Sequence, residues 1–404
     1  KHSFQKKEYS GNEIFLEYNS LKSSFEEGWS SNGPFGGSVF SFDIDYDNNI
    51  IYAGTRNGVW KSNDEGQTWT ISLAPDNVTW GWAMTNSIKV LNDDQHTVYA
   101  LCTEGLFKSD DHGETWELSN QSGYFGSISV GQLSGQNISY MAVHGLGIMK
   151  SIDDGTIWDS ITPQCEYSPS GAIASNAGGQ TIIAGMNCNG LYKSDDAGTN
   201  WTQLTNGVPT DLSAVVIKQN PLNPNTIYAG FNKLFPEQTG IPGLYKSYNG
   251  GETWQKLNLD YDFNDNIWEF NMLDINSLDT NSIMIACNQT LYQSSDGGIT
   301  FSSQNSQLID GCTTVKFNRL NPDFILTGKY TGVIKSIDDG STWFESNDGM
   351  LGSSPSKVAI AFNHNDVLYT GADYIYKSLD GGNEWNRYDD GLTSSGTVYS
   401  HPAD

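Results

Sequence analysis

Arginine is nearly missing from this 404-residue chain, which carries only Arg56, Arg319 and Arg387. Lys and Arg together number 21 against 47 Asp and Glu, a formal net charge of −26. Binding to nucleic-acid phosphates needs clustered cations, and the sequence offers none. An anionic membrane surface would repel such a chain. Long apolar runs are missing too: none approaches the roughly 18 residues that a membrane-spanning helix requires. No apolar leader opens the chain, because Lys1 to Ser10 is polar and reads as a processed start. Cysteine is sparse, with five residues and no Cys or His spacing that suggests zinc. The acidity itself reads first as colloidal solubility or a salty habitat, and second as a face for cations or neutral sugars.

Glycine, at 43 residues, and aromatics, at 12% of the chain, are abundant, a mixture that suits many short strands joined by tight turns. One phrase recurs eight times, first as Gly58-Val59-Trp60-Lys61-Ser62-Asn63-Asp64-Glu65-Gly66-Gln67-Thr68-Trp69. The leading serines of successive copies are separated by 47, 42, 43, 53, 47, 42 and 42 residues. Counted from each leading serine, the third position is Asp64, Asp111, Asp153, Asp196, Asn249, Asp296, Asp338 and Asp380. Ser and Asp side chains bond neighbouring amides and hold a turn. The Gly at the fifth position suits a backbone with φ above zero. The closing Trp or Phe begins the next strand and offers a large apolar face.

Ser-x-Asp-x-Gly-x-Thr-Trp resembles the Asp-box shared by sialidases, family 74 xyloglucanases, sortilin-type receptors and the photosystem II assembly propeller. The resemblance covers about residues 35 to 390 and implies a β-propeller. It says little about chemistry, since catalytic and non-catalytic proteins carry the same box. The residues agree on architecture: each unit shows two strands upstream of the box strand and one after it, and four strands per roughly 45 residues make a propeller blade. Eight units predict an all-β chain with a single eight-bladed propeller of four-stranded antiparallel blades over 35–390. A seven-bladed ring with an irregular terminal unit is the alternative. Residues 1–34 form an N-terminal extension that could complete the ring, and 391–404 a C-terminal tail.

In an antiparallel meander the boxes share one face with the first-to-second turns. The opposite face carries the second-to-third loops and the links between blades. The repeats diverge on that opposite face, where a rigid scaffold usually presents its functional loops. Ligand-binding candidates there are Arg56, Trp80, Trp82, Tyr124, Tyr167, Tyr261, Trp268 and Tyr330, aromatics and a cation that suit sugar rings or a protein interface. The fifth unit adds an extended loop, Phe231 to Gly243, expected to form a groove wall or a partner contact. The first-to-second turns and boxes are expected to be scaffold.

Catalysis is the second reading of the same residues. A sialidase needs three converging arginines, and Arg56, Arg319 and Arg387 fall on different parts of their blades. Where the family 74 enzymes place an Asp in a Thr-Asp-x-Gly-Gly loop, this chain reads Thr55-Arg56-Asn57-Gly58. A glycosidase needs two carboxylates across a bond, for which Asp262, Asp265, Glu269, Asp373 and Glu104 are candidates. A lyase would draw on His144 with a tyrosine. No cofactor is expected; calcium is the ion that Asp260, Asp262 and Asp265 would hold. Cys165 with Cys188, and Cys287 with Cys312, are expected to pair as disulfides, leaving Cys102 free, as an oxidising compartment would allow.

These readings converge on a secreted, cell-surface or periplasmic propeller that binds a glycan or protein. A polysaccharide-active enzyme and a structural module of a larger surface or secretion assembly are the alternatives.

Overall fold

The computed structural model describes residues 38–346 other than 57, 74–83, 92–96, 121–125, 134–135, 164–168, 260–269, 288–289, 305–310 and 331. Beyond them it describes the strands between residues 357 and 387. All its regular structure is β, arranged as four-stranded antiparallel sheets in which sequential strands are neighbours. The sheets span 39–73, 85–120, 126–160, 169–204, 213–256, 270–303, 312–345 and 357–387.

The burial of each strand follows its place in the blade. Second strands such as Ile50–Thr55, Val98–Cys102 and Ile283–Cys287 are buried at every position. They therefore read as continuous apolar runs rather than alternating ones, because both faces of the blade are covered. Fourth strands such as Gln255–Lys256 and Phe344–Glu345 are short and exposed, and form the rim. Between blades lie apolar clusters that join adjacent sheets, for example Ala172, Ile183 and Leu191 of blade 4 with Ile217, Ala229 and Phe231 of blade 5.

Seven of these sheets, not eight, make the propeller. The first strand of blade 1, Val39–Asp45, packs against the first strands Thr85–Val90 of blade 2 and Cys312–Phe317 of blade 7. Trp69 of blade 1 is 2% exposed and clusters with Phe324, Leu326 and Val333 of blade 7. Its indole Nε1 donates to the carbonyl of Ser346 over 2.7 Å. Across the same seam Ser38 Oγ donates to the Tyr330 carbonyl, and Thr313 Oγ1 to the Val39 carbonyl. Gly328 permits this approach: a Cβ there would stand 2.9 Å from the Val39 side chain. The circle is thus closed by blade 7 on blade 1, and no place is left between them. The eighth box marks a complete four-stranded sheet, 357–387, that is not a member of the ring. Box counting registers repeat units, whereas packing of first strands sets the number of blades. The expected ring of eight over 35–390 is corrected to a ring of seven over 39–346.

The boxes hold their turns as the residue types demand. In blades 1 to 7 the Ser hydroxyl accepts the Gly amide over 2.8–2.9 Å and donates to the Asp or Asn side chain over 2.8–3.0 Å. The same Asp or Asn oxygen accepts the amide four residues further on, as from Thr68, Thr115 and Thr342. Two consecutive residues are left-handed, such as Glu65 and Gly66 at φ 58° and 73°. The reading of a glycine turn with an aromatic wedge holds for these seven boxes; that the preceding residue is also left-handed was not legible.

Candidate functional site

Hydrogen bonds assign the loops to two faces. The first-to-second turns bond to the boxes, as where the Gly250 amide donates to Asn225 and the Asp339 amide to Asp323. The second-to-third turns and inter-blade links emerge on the other side.

On that variable face the extended loop of blade 5 is a built feature. Asp211, in the link from blade 4, accepts the amides of Thr239 and Gly240 over 2.6 and 3.0 Å and the Thr239 hydroxyl over 3.0 Å. Burial opposes ionisation of Asp211, but these amides and the hydroxyl outweigh it and hold its carboxyl below the usual range. Gln238 folds back so that its Oε1 accepts the amides of Leu234 and Phe235 over 2.6 and 2.8 Å, while its Nε2 donates to the Asp211 carbonyl. The Tyr245 hydroxyl donates to the Ile241 carbonyl over 2.8 Å. With its backbone fixed this way, the loop presents Phe235 and Ile241, 50% and 61% exposed. Beside it lies the second-to-third turn of blade 4. Its Asn187 Nδ2 donates to the Pro169 carbonyl over 3.3 Å, and its Asn189 Oδ1 accepts Gln203 Nε2 over 3.0 Å.

Ring closure brings together two residues that the sequence separates by most of its length. Arg56, in the second-to-third turn of blade 1, donates its amide to the Ser38 carbonyl over 3.1 Å. The Ser38 hydroxyl in turn donates to Tyr330 of blade 7 over 3.0 Å. Arg56 and half-exposed Tyr330 therefore flank one seam on the variable face. Lys329, next to Tyr330, is buried. Arg319 is on the box face, stacked 5.3 Å over the Tyr46 ring, so it does not converge with Arg56.

Of the remaining site expectations, Glu104 is half-buried in the blade 2 turn and His144 is exposed in the blade 3 turn. Trp80, Trp82, Tyr124, Tyr167, Tyr261 and Trp268 lie outside the described residues, as do Asp260, Asp262, Asp265, Glu269 and Asp373. Among the described residues no three His, Cys, Asp or Glu side chains gather as a metal site.

The expected pairing of Cys287 with Cys312 is not formed: both are buried, and neither is joined in a disulfide. Cys312 Sγ instead accepts a hydrogen bond from the Thr327 hydroxyl over 3.4 Å. Cys188 is a free thiol, and Cys165 lies outside the described residues. Cys102 is a buried free thiol whose burial pushes its pKa up to about 12, which makes it inert.

A charged belt missed by the sequence reading runs around the axis. It occupies one position of the first strands in blades 2, 1, 7, 6 and 5: Lys89, Asp43, Lys316, Asp274 and Lys218. Asp43 bonds Lys89 over 3.1 Å and Lys316 over 2.8 Å, and Lys218 bonds Asp274 over 2.6 Å. Each carboxylate also accepts an amide of the next blade, Val90 for Asp43 and Phe317 for Asp274, both at 2.9 Å. Ser129 does the same in blade 3, accepting the Ser175 amide over 2.9 Å. Burial works against the charge on Asp43, yet Lys316, Lys89 and the Val90 amide hold its carboxyl well below the usual range. The belt ties neighbouring blades to one another. A lone Lys or Asp inside each strand carries no local signal, because its partners stand on other blades.

No family model matches the chain, and no curated protein matches it in sequence. Solved structures share its fold. The GH74 xyloglucanase from Xanthomonas campestris is similar over 93% of this chain and 70% of its own, at 14% identity and a TM-score of 0.68. A structure of YCF48 bound to D1 peptide is similar over 75% and 94%, at 15% identity and 0.55. The extracellular domain of the hybrid two-component system BT4673 from B. thetaiotaomicron is similar over 87% and 45%, at 10% identity and 0.56. These likenesses define the class as a β-propeller akin to the GH74 fold, with no close single match. Among the described residues no helix is long and apolar enough to cross a membrane.

Proposed function

We propose that the protein is a secreted or cell-surface binding propeller that recognises a glycan or a protein partner through its variable face. The observation that carries this reading is the blade 5 loop. Its backbone is fixed by Asp211 and Gln238, yet it spends that order on presenting Phe235 and Ile241 to solvent. Ordering a loop before binding lowers the entropy cost of association. An apolar pair held out on a rigid wall is the anchor type that interfaces use. The Arg56 and Tyr330 pair across the seam adds a cation and an aromatic on the same face.

The test is a glycan array with the full chain, joined to a reducing-end release assay on whatever it retains. Binding without release of product, weakened at least about tenfold by Phe235→Ala with Ile241→Ala, supports this reading. Release of product, lost on replacing Asp262 or Asp373, would instead make the protein a polysaccharide-active enzyme.

A further inference from the structure

The boxes and first-to-second turns carry a feature that their scaffold role does not use. In blades 5, 6 and 7 the first-to-second turns read Asn220-Pro221-Leu222-Asn223, Asn276-Ser277-Leu278-Asp279 and Asn318-Arg319-Leu320-Asn321. Each opens with an Asn whose Oδ1 accepts the amides two and three residues on. Asn220 takes Leu222 and Asn223 at 2.9 and 3.0 Å, and Asn318 takes Leu320 and Asn321 at 2.8 and 3.1 Å. Asn276 makes the matching pair with Leu278 and Asp279. The opening Asn, not the leucine, therefore holds the turn. Leu222, Leu278 and Leu320 are 66%, 60% and 70% exposed at its tip.

Blade 1 supplies the control within the same molecule. Its turn is one residue shorter but opens in the same way, with Asp45 Oδ1 accepting the amides of Asp47 and Asn48 at 3.1 and 3.2 Å. There the tip residue is Asp47, and it is exposed. A polar side chain thus satisfies the turn, and three consecutive leucines at that position serve something else. The neighbouring boxes extend the apolar surface through exposed Tyr248, Ile299 and Ile337. The boxes of adjacent blades adjoin: Lys246 of blade 5 lies 4.4 Å from the Tyr248 ring centroid and donates to the Gly297 carbonyl in the blade 6 box. The blade 7 box reaches back in the same way, its Asp339 carbonyl accepting Gln293 of blade 6.

The charge around this arc is acidic. Asp279 and Asp323 come from the turns, and Asp338 and Asp339 from the blade 7 box. Burial, together with Asp323, Asp279 and Asp338, raises the Asp339 carboxyl above its usual range, as expected where like charges gather. The exposed cation among these turns, Arg319, is stacked on Tyr46 towards blade 1. Exposed apolar side chains concentrated in one arc mark an interaction site. The acidic rim selects against a second copy of this chain, at net −26, and against anionic lipid. We infer that the box face of blades 5 to 7 is a docking surface for a cationic amphipathic segment of a partner protein, with aliphatic side chains against the three leucines and Lys or Arg against the rim.

Titration calorimetry on the full chain tests this with two synthetic helical peptides of one apolar pattern, one Leu/Lys and one Leu/Glu. The triple variant Leu222→Asn, Leu278→Asn, Leu320→Asn leaves net charge unchanged and touches no core residue. Ile152→Asn with Ile157→Asn, on the box of blade 3, is the matched control, and melting curves verify that both variants fold. The expected result is binding of the Leu/Lys peptide alone, weakened at least about tenfold in the triple variant and unchanged in the control. No binding of the Leu/Lys peptide would overturn the inference. So would equal binding to the triple variant, which would mean charge alone, or equal binding of the Leu/Glu peptide, which would mean unselective apolar contact.

Discussion

Glu65 stands at φ 58° on the box of blade 1, in the conformation that Gly250 and Gly297 occupy at the same place in blades 5 and 6. A left-handed non-glycine residue costs about 1–2 kcal/mol, while glycine loses about 0.4–1 kcal/mol through the greater freedom of the unfolded chain. Glu65→Gly should therefore stabilise the protein by about 0.5–1 kcal/mol, read as a rise in melting midpoint in urea. The side chain is exposed, so its removal costs little packing. At this scale the sequence is most informative. The Ser, Asp, Gly and Trp of the box each do locally what their side chains allow, and Asn249 shows that an amide oxygen replaces a carboxylate there. Cys287 and Cys312 show the limit. Their pairing depended on which way two strand ends face across a blade boundary, and no local pattern encodes that.

Elements are joined to one another by the belt of Asp43, Asp274 and their lysines, and by the box carboxylates. Both sets are held below the ordinary carboxylate range. Burial weighs against ionisation of Asp111, but its hydrogen bonds from Thr115, Ser109 and Glu114 bring it down to about 2. Asp274 is buried too, and Lys218 and Lys316 more than offset that. For groups depressed in the folded state, the stabilisation is complete above the unfolded value of about 4 and lost as pH falls through the folded value. The melting temperature should thus be flat from neutrality to about pH 5 and fall steeply between about pH 4 and 2. Asp274→Asn should make that fall shallower. A melting temperature that declines evenly from pH 7 would contradict the assignment. The belt escaped sequence reading because its members on blades consecutive in the chain stand 42 to 56 residues apart, in register with the repeat, but differ in charge from blade to blade.

At the scale of the molecule, the box repeat and the ring are different counts. Eight boxes are legible, and eight four-stranded sheets form, but seven blades close the circle through Trp69, Gly328 and the Val39–Asp45 strand. Nothing in the eighth repeat itself distinguishes it from the others, since membership is decided by whether blade 1 finds blade 7 or a later sheet. Closure also gives each face its content: Arg56 and Tyr330 flank one seam on the variable face only because blades 1 and 7 adjoin. The box face is more than a scaffold, since its turns place leucines at consecutive tips. The ring of seven underlies both readings of function. It is tested most directly by the melting temperature of a chain shortened to end at Asp348, which removes the eighth sheet and keeps Ser346. Seven-blade closure predicts a midpoint within about 2 °C of the full chain, because no core between blades is uncovered. A ring that needs the eighth sheet would lose two inter-blade cores, and a collapse of the cooperative transition would contradict the account.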